Sequence, residues 1–215
     1  MRDVTMAEIE SMRAGSVWDL GNQVLYDLCR KNPEHKTLDE IIAKLWLIGR
    51  AYAASIERRR NVEAYGDGFY SDTVGPAMLA SGIDAWLRLL SAVSDPGHHA
   101  ETVVVHKRLT DLFAALTNLN KRSLASKYLH FHRPDLFYLY DSRAVWAIMK
   151  VTPRLSSIPH LEVDEHDWTY RDFVRRCVWL RARVQKTLGP LLTPREIDKI
   201  LLTIADGVPV AVKEE

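Results

Sequence analysis

Thr37-Leu38-Asp39-Glu40-Ile41-Ile42-Ala43-Lys44-Leu45-Trp46-Leu47-Ile48-Gly49-Arg50-Ala51-Tyr52 decides the fold class. It opens on a capping box, in which the Thr37 oxygen accepts an orphan N–H and Glu40 returns the bond. Behind it, Ile41, Leu45, Ile48, Tyr52 and Ile56 recur at the spacing of one buried helix face. Arg58 to Arg60 then suit the negative end of a helix that runs past Ile56.

The same grammar holds on both sides. Asp19 or Gly21 begins a run that Pro33 stops after Asn32. A polar, glycine-bearing connection covers Asn61 to Gly75. The pattern then predicts helices over Pro76–Ser94, with Asp95-Pro96-Gly97 as the stop, over Glu101–Asn118 and over Ser123–Phe131. Asp141 or Ser142 caps a run to Lys150, and Thr169 caps one that ends at Leu188-Gly189-Pro190. A second capping box, Thr193-Pro194-Arg195-Glu196, opens a last helix that carries Ile197, Ile200, Leu201 and Ile204 to Gly207, before an acidic tail.

About eight helices, no repeat and no strand–helix–strand alternation define an all-α chain and disfavour nucleotide folds built on a parallel sheet. Residues 1–215 are expected to form one compact helical body. The irregular stretch 151–167 is the place where it could divide into two lobes.

Composition narrows the function classes. With 29 basic and 28 acidic residues the formal charge is +1, which excludes a polybasic carrier but not a local basic surface. Cys29 and Cys177, with 147 residues between them, cannot form a disulfide framework or hold an iron–sulfur cluster, and are expected as buried thiols. No apolar run is long enough to span a bilayer and the first residues lack a signal-peptide core, so a cytoplasmic protein with no membrane partner is expected.

Phosphate loops, dinucleotide fingerprints, nucleophile elbows and His-Glu-x-x-His are all missing. His98, His99 and His106 fit no helix-face ligand spacing, and His98-His99 are expected as a polar loop pair; no metal or cofactor is expected.

The chemistry-bearing window is Leu116 to Trp146. Glu101 to Lys150 holds eight Lys/Arg against four Asp/Glu in an otherwise nearly neutral chain. Within it, Lys127 and Asp141 each stand near the N-terminal end of a helix. Desolvation can lower a lysine pKa enough to make the amine a nucleophile. An aspartate held ionised by orphan N–H groups can stabilise positive charge on a sugar that is losing its base. Equally, Lys127 could be a phosphate contact, and Asp141 with Ser142 a plain N-cap. Trp46 and Trp86 are stacking candidates that also fit core stripes. Arg171 to Lys186 carries six basic residues and one acid, either a DNA-backbone support or a charged outer face.

Ser123-Leu124-Ala125-Ser126-Lys127, with Pro134 and then Tyr140-Asp141-Ser142-Arg143, resembles a compressed signature of the helix–hairpin–helix DNA glycosylase superfamily. Trp46 to Ala54 and the chain as a whole are similar to its bacterial 8-oxoguanine-DNA-glycosylase-fold group. The family hairpin, Leu-Pro-Gly-Val-Gly-x-Lys, matches here with Arg122 at the proline, Ser123 and Ala125 at the glycines, Leu124 at the valine and Lys127 at the lysine.

The resemblance implies a modified base rotated out of duplex DNA into a pocket between lobes. It also implies Lys127 attacking the sugar, with or without strand cleavage through an imine, and Asp141 assisting departure of the base. Lys121, Arg122, Ser123, Ser126, His130, Arg143 and Arg50 become candidate DNA contacts, Arg143 alternatively pairing with Asp141. Similar proteins occur in bacterial antiviral operons, so the alternative is a noncatalytic DNA-binding or protein-interaction module in defence. Direct chemistry requires the Lys127 amine and Asp141 carboxylate within roughly 8 Å of one another and open to one DNA-sized groove.

Overall fold

The computed structural model describes residues 2–58, 68–90 and 99–207. Arg59 and Arg60, residues 61–67 of the Asn61–Gly75 connection, the end of the helix expected to Ser94, the Asp95-Pro96-Gly97 stop, His98 and the acidic tail lie outside the described residues.

Among the described residues the chain is all-α: α1 (Met6–Arg13), α2 (Asp19–Lys31), α3 (Leu38–Ala51), α4 (Gly75–Leu79), α5 (Ile83–Leu89), α6 (His99–Thr117), α7 (Arg122–His132), α8 (Ser142–Val151), α9 (Trp168–Leu188) and α10 (Pro194–Asp206). A π-helical turn, Phe69–Val74, leads into α4, and a single 3-10 turn, Leu155–Ser157, lies before α9.

Local chemistry sets most boundaries. The Thr193–Glu196 capping box forms and Gly207 closes α10 in the left-handed region. Gly189, at φ +97, ends α9. The helix expected over Pro76–Ser94 is interrupted at Ala80–Gly82 into α4 and α5. A helix absent from the sequence expectation, α1, starts on its own capping box: the Glu8 N–H donates to Thr5 Oγ1 at 3.3 Å and the Thr5 N–H to Glu8 Oε2 at 2.9 Å. The cap of α9 is Asp167 rather than Thr169, its Oδ1 accepting from the Thr169 and Tyr170 N–H groups.

The Thr37 box does not form; Thr37 is the N-cap in extended conformation, without a side-chain bond to the helix. Nor does α3 continue to Ile56. It stops at Ala51, Ala53 adopts φ +48, and the Ala54 N–H returns to the Gly49 carbonyl at 2.8 Å. The chain folds back across Gly49, which lets Ile56 reach the same core without belonging to the helix. A methyl group on Gly49 would lie 2.9 Å from the Ser55 Cα, a backbone atom that cannot swing aside. Although alanine is the better helix former, Gly49→Ala is expected to lower stability by about 1–3 kcal/mol in denaturant melts. A stabilised variant would contradict this account of the reversal.

The described residues pack into two apolar clusters. The first gathers α2 to α7 around Ile41, Leu45, Phe113, Tyr128 and Phe137; the second gathers α1 and α8 to α10 around Ile9, Ile148, Tyr170, Cys177 and Leu201. Burying each large apolar side chain contributes roughly 1.5–3 kcal/mol. The clusters change over between Phe137 and Tyr138, whereas 151–167 lies within the span of the second. Cys29 is buried in the first and Cys177 in the second, both free. Among the described residues no helix is long and apolar enough to cross a membrane.

One charge is buried inside the first cluster. Lys44 sits in the apolar row of α3, fully buried, and its ammonium donates to the Asn32 and Glu34 carbonyls at 2.9 and 2.7 Å. It thereby satisfies the carbonyl end of α2, where a cation also complements the helix dipole.

Candidate functional site

A four-residue connection, 118–121, joins α6 to α7, with Asn118 at φ +56 supplying the left-handed turn. Ser123 and Ala125 fall inside α7, on helical backbone that makes no demand for glycine. Beyond α7 the segment 136–140 runs back with no strand beside it, so its backbone polar groups need partners. The side chains of α7 supply them. His130 Nδ1–H donates to the Phe137 carbonyl at 2.8 Å, Ser126 Oγ accepts the Tyr140 N–H at 2.9 Å, and Lys127 Nζ donates to the Tyr140 carbonyl at 2.9 Å. From the second cluster, the Tyr170 hydroxyl donates to the Tyr138 carbonyl at 3.0 Å.

This lacing delivers Asp141 to Lys127. Asp141 Oδ1 accepts the Ala144 N–H at 2.8 Å and caps α8, while Oδ2 faces Lys127 Nζ at 3.5 Å. Ser123 Oγ accepts from the same ammonium at 2.9 Å, and the Tyr52 ring lies 5.7 Å from it. Burial pushes the Lys127 pKa down, against the opposing pull of the carboxylates of Asp141 and Asp198. The pair satisfies the expected distance. It does not satisfy the expected access: the Lys127 side chain is 2% exposed and that of Asp141 27%, so only the carboxylate meets solvent.

The remaining candidates do not converge on a basic cleft. Ser126 and His130 are fully buried with internal partners, His130 Nε2 accepting from the Tyr26 hydroxyl at 2.7 Å. Lys121 is 9% exposed and donates to the Arg58 carbonyl at 2.6 Å. Arg122 is held by Asp167, the cap of α9. Exposed Arg143 pairs with Asp206 rather than with Asp141. Exposed Arg50 pairs with Glu57 at 2.5 Å and lies over the Trp46 ring, itself on the surface. Trp86 is half-buried against the first cluster.

Over most of its length the basic run on α9 is turned to the protein's own loops rather than left as a charged outer face. Arg175 donates to the Leu155, Ile158 and Pro159 carbonyls, Arg176 to Thr152 Oγ1 and the Pro153 carbonyl, and Arg181 to the Leu192 carbonyl. Arg171 and Arg175 share Asp172. These guanidinium groups fasten the loops on either side of α9.

His99 is not a loop residue. His99 begins the helix and is buried beside Tyr138, and His106 stacks on Tyr170 with ring centroids 3.5 Å apart. Among the described residues no three His, Cys, Asp or Glu side chains are grouped to hold an ion.

Sequence reasoning missed Asp198 and Arg195. Asp198 is 3% exposed and accepts from Arg195 Nη1 at 2.6 Å, within electrostatic reach of Lys127, Asp141 and Arg143. Lys199 reaches Asp19 at 2.8 Å, so α10 is tied by an ion pair to the start of α2 in the other cluster. The signal was available: Asp198 stands in the apolar stripe of α10 beside Ile197 and Leu201, a position that buries a charge.

Comparison with family models, curated proteins and solved structures yields no match to this chain.

Proposed function

We propose that this protein is a DNA-binding, glycosylase-like enzyme that releases a modified base by cutting its N-glycosidic bond. The supporting observation is the desolvated Lys127 ammonium facing the Asp141 carboxylate at 3.5 Å, where the two apolar clusters meet. Burial moves the Lys127 amine toward the neutral, nucleophilic form.

In the proposed reaction the neutral Lys127 amine forms a bond to the anomeric carbon as the bond to the base breaks. The bonding pair leaves with the base, and the amine gives up a proton to it or to Asp141. Asp141 stabilises the positive charge that accumulates on the sugar while the base departs. Ring opening to an imine would then permit strand cleavage; water attack would complete simple excision. None of these steps calls for a metal or an organic cofactor. Access to the amine requires DNA to part α7 from the Tyr140–Asp141 segment, the side from which Asp141 is already exposed.

The burial of Lys127, its ammonium already bonded to Ser123 and Tyr140, favours a second reading: a noncatalytic DNA-binding or protein-interaction module of antiviral defence that keeps the pair as structure. Borohydride reduction with duplex DNA carrying diverse modified or abasic sites separates the two. A covalent adduct that disappears in Lys127→Ala is the expected result. DNA binding without adduct or base release across the panel would establish the binding module instead.

A further inference from the structure

Asp172 on α9 carries one negative charge and meets two guanidinium groups. Arg171 donates to its Oδ1 through Nε at 3.0 Å and Nη2 at 2.7 Å, and Arg175 through Nη1 at 3.3 Å. Arg176, the next residue, bonds to Thr152 Oγ1 and the Pro153 carbonyl, both neutral. This part of α9 therefore holds more positive charge than the fold neutralises. The side chains of Arg171 and Arg175 are only 5% and 7% exposed, so their field is little screened.

The same two arginines, with residues 155–160, line a shallow depression of about 650 Å³. We propose that this depression binds a nucleotide, its phosphate held by the arginines and its base stacked on Trp168.

Donors remain for the phosphate. A guanidinium has five N–H groups. Arg175 spends four of them, on Asp172 and the Leu155, Ile158 and Pro159 carbonyls. Arg171 spends three, two on Asp172 and one on His166 Nε2 at 3.1 Å. The others meet no acceptor among the described residues. Because Arg171 donates to Nε2, neutral His166 carries its own hydrogen on Nδ1, an enclosed atom that also has no partner. Ser156 and Ser157 add exposed hydroxyls to the lining. The one other acid at the rim, Glu162, is exposed and pairs with His160 at 2.9 Å.

The base has a platform. The Arg171 guanidinium lies 4.2 Å from the centroid of the Trp168 ring, which the His166 ring meets at 4.2 Å and which is still 63% exposed. One side chain thus joins the depression to a surface aromatic ring. A nucleotide uses both features, since every base has a π-face and a phosphate pairs with guanidinium groups. A free mononucleotide and a unit of single-stranded DNA share this chemistry. The inference takes nothing from Lys127.

The probe is the indole N–H resonance of Trp168 in 1H–15N spectra, identified by its loss in Trp168→Phe. Deoxyadenosine monophosphate is expected to move it saturably and to bind roughly tenfold tighter than deoxyadenosine or inorganic phosphate. Ser156→Glu puts an acid in the depression without removing a bond that the fold uses. It should weaken deoxyadenosine monophosphate roughly tenfold and leave deoxyadenosine unchanged. Trp168→Ala, followed by calorimetry, should weaken the nucleotide by a similar factor. Ser156 and Trp168 are both exposed, so neither change threatens the fold.

Tighter binding of the mononucleotide than of a tetradeoxyadenylate without terminal phosphate assigns the site to a free nucleotide; the reverse order assigns it to a DNA strand. A resonance that moves with neither ligand overturns the proposal, as does an affinity untouched in Ser156→Glu. Equal affinity for inorganic phosphate and deoxyadenosine monophosphate overturns the contact with the base. A borohydride adduct without a shift at Trp168 rejects this site and keeps the glycosylase chemistry, and a shift without an adduct does the opposite.

Discussion

Taken from pH 7 to pH 5, the protein is expected to lose about 4 kcal/mol of folding stability, a large share of what a domain this size possesses. The cause is three histidines folded in their neutral form. His106 and His130 are fully buried, with pKa values pushed down by desolvation to about 4 and about 3, and His132, stacked on His35, is pushed well below the ordinary range. In the unfolded chain each takes a proton near pH 6.5, which the native state refuses. The stability they provide is therefore complete above that pH and drains as pH falls toward the folded values, by about 1.4 kcal/mol per pH unit for each.

Asp198 works the other way. Its folded pKa of about 6 exceeds the unfolded value, so the native state gains a proton between pH 6 and 4 and recovers one histidine's share. Urea melts followed by circular dichroism at pH 7, 6 and 5 check the sum. A midpoint unchanged over that range would mean that these rings are not neutral and enclosed in solution.

Arg175→Ala is expected to cost about 3–5 kcal/mol, because it removes the buried cationic partner of several acceptors at once. Arg175 is 8% exposed; its guanidinium serves three carbonyls between Leu155 and Pro159 and bonds to Asp172 at 3.3 Å. Beyond the Arg176 bonds at its start, that loop is anchored by Ile158, its one core residue between 153 and 160. Loss of the arginine leaves buried acceptors unpaired and frees the loop, each of which is costly. Thermal melts read the first effect. Limited trypsin digestion reads the second: cleavage after Arg154 should accelerate in the variant, and equal cleavage rates would show that Arg175 does not secure this loop.

The helices were legible because their signals are local. Capping residues, prolines, terminal glycines and three-four spacing place α2, α6, α7, α8 and α10 to within a residue or two. What escaped depended on neighbours distant in sequence. Ile56 completes the α3 stripe from outside the helix, since periodicity records which residues face a core and not whether the backbone between them stays helical. Thr5 to Glu8 shows the reverse case, a capping box present in sequence but overlooked where no long stripe followed it.

The candidate site was half legible. Lys127 and Asp141 lie 14 residues apart on one short excursion of chain, so their meeting follows from α7, a return segment and the start of α8. Arg122 and Arg143 were read as candidate DNA contacts, and the α9 arginines as a DNA support or an outer face, because composition registers a cation without its partner. Their partners, Asp167, Asp206 and the carbonyls of 152–160, come from folding alone. Asp198 came from the far end of the chain, 57 residues beyond Asp141, where its buried position beside Ile197 carried the only clue.

Arg13 of the first helix bonds to Glu196 of the last at 2.6 Å, and the Arg2 N–H donates to the Lys150 carbonyl at 3.0 Å. The second half is thus closed by a bond between residues 183 apart in the chain, whereas the core of the α2–α7 half is drawn from Leu25 to Phe137. Contacts of such long range cost more chain entropy to close, so the half with α1 and α10 carries the larger share of that cost.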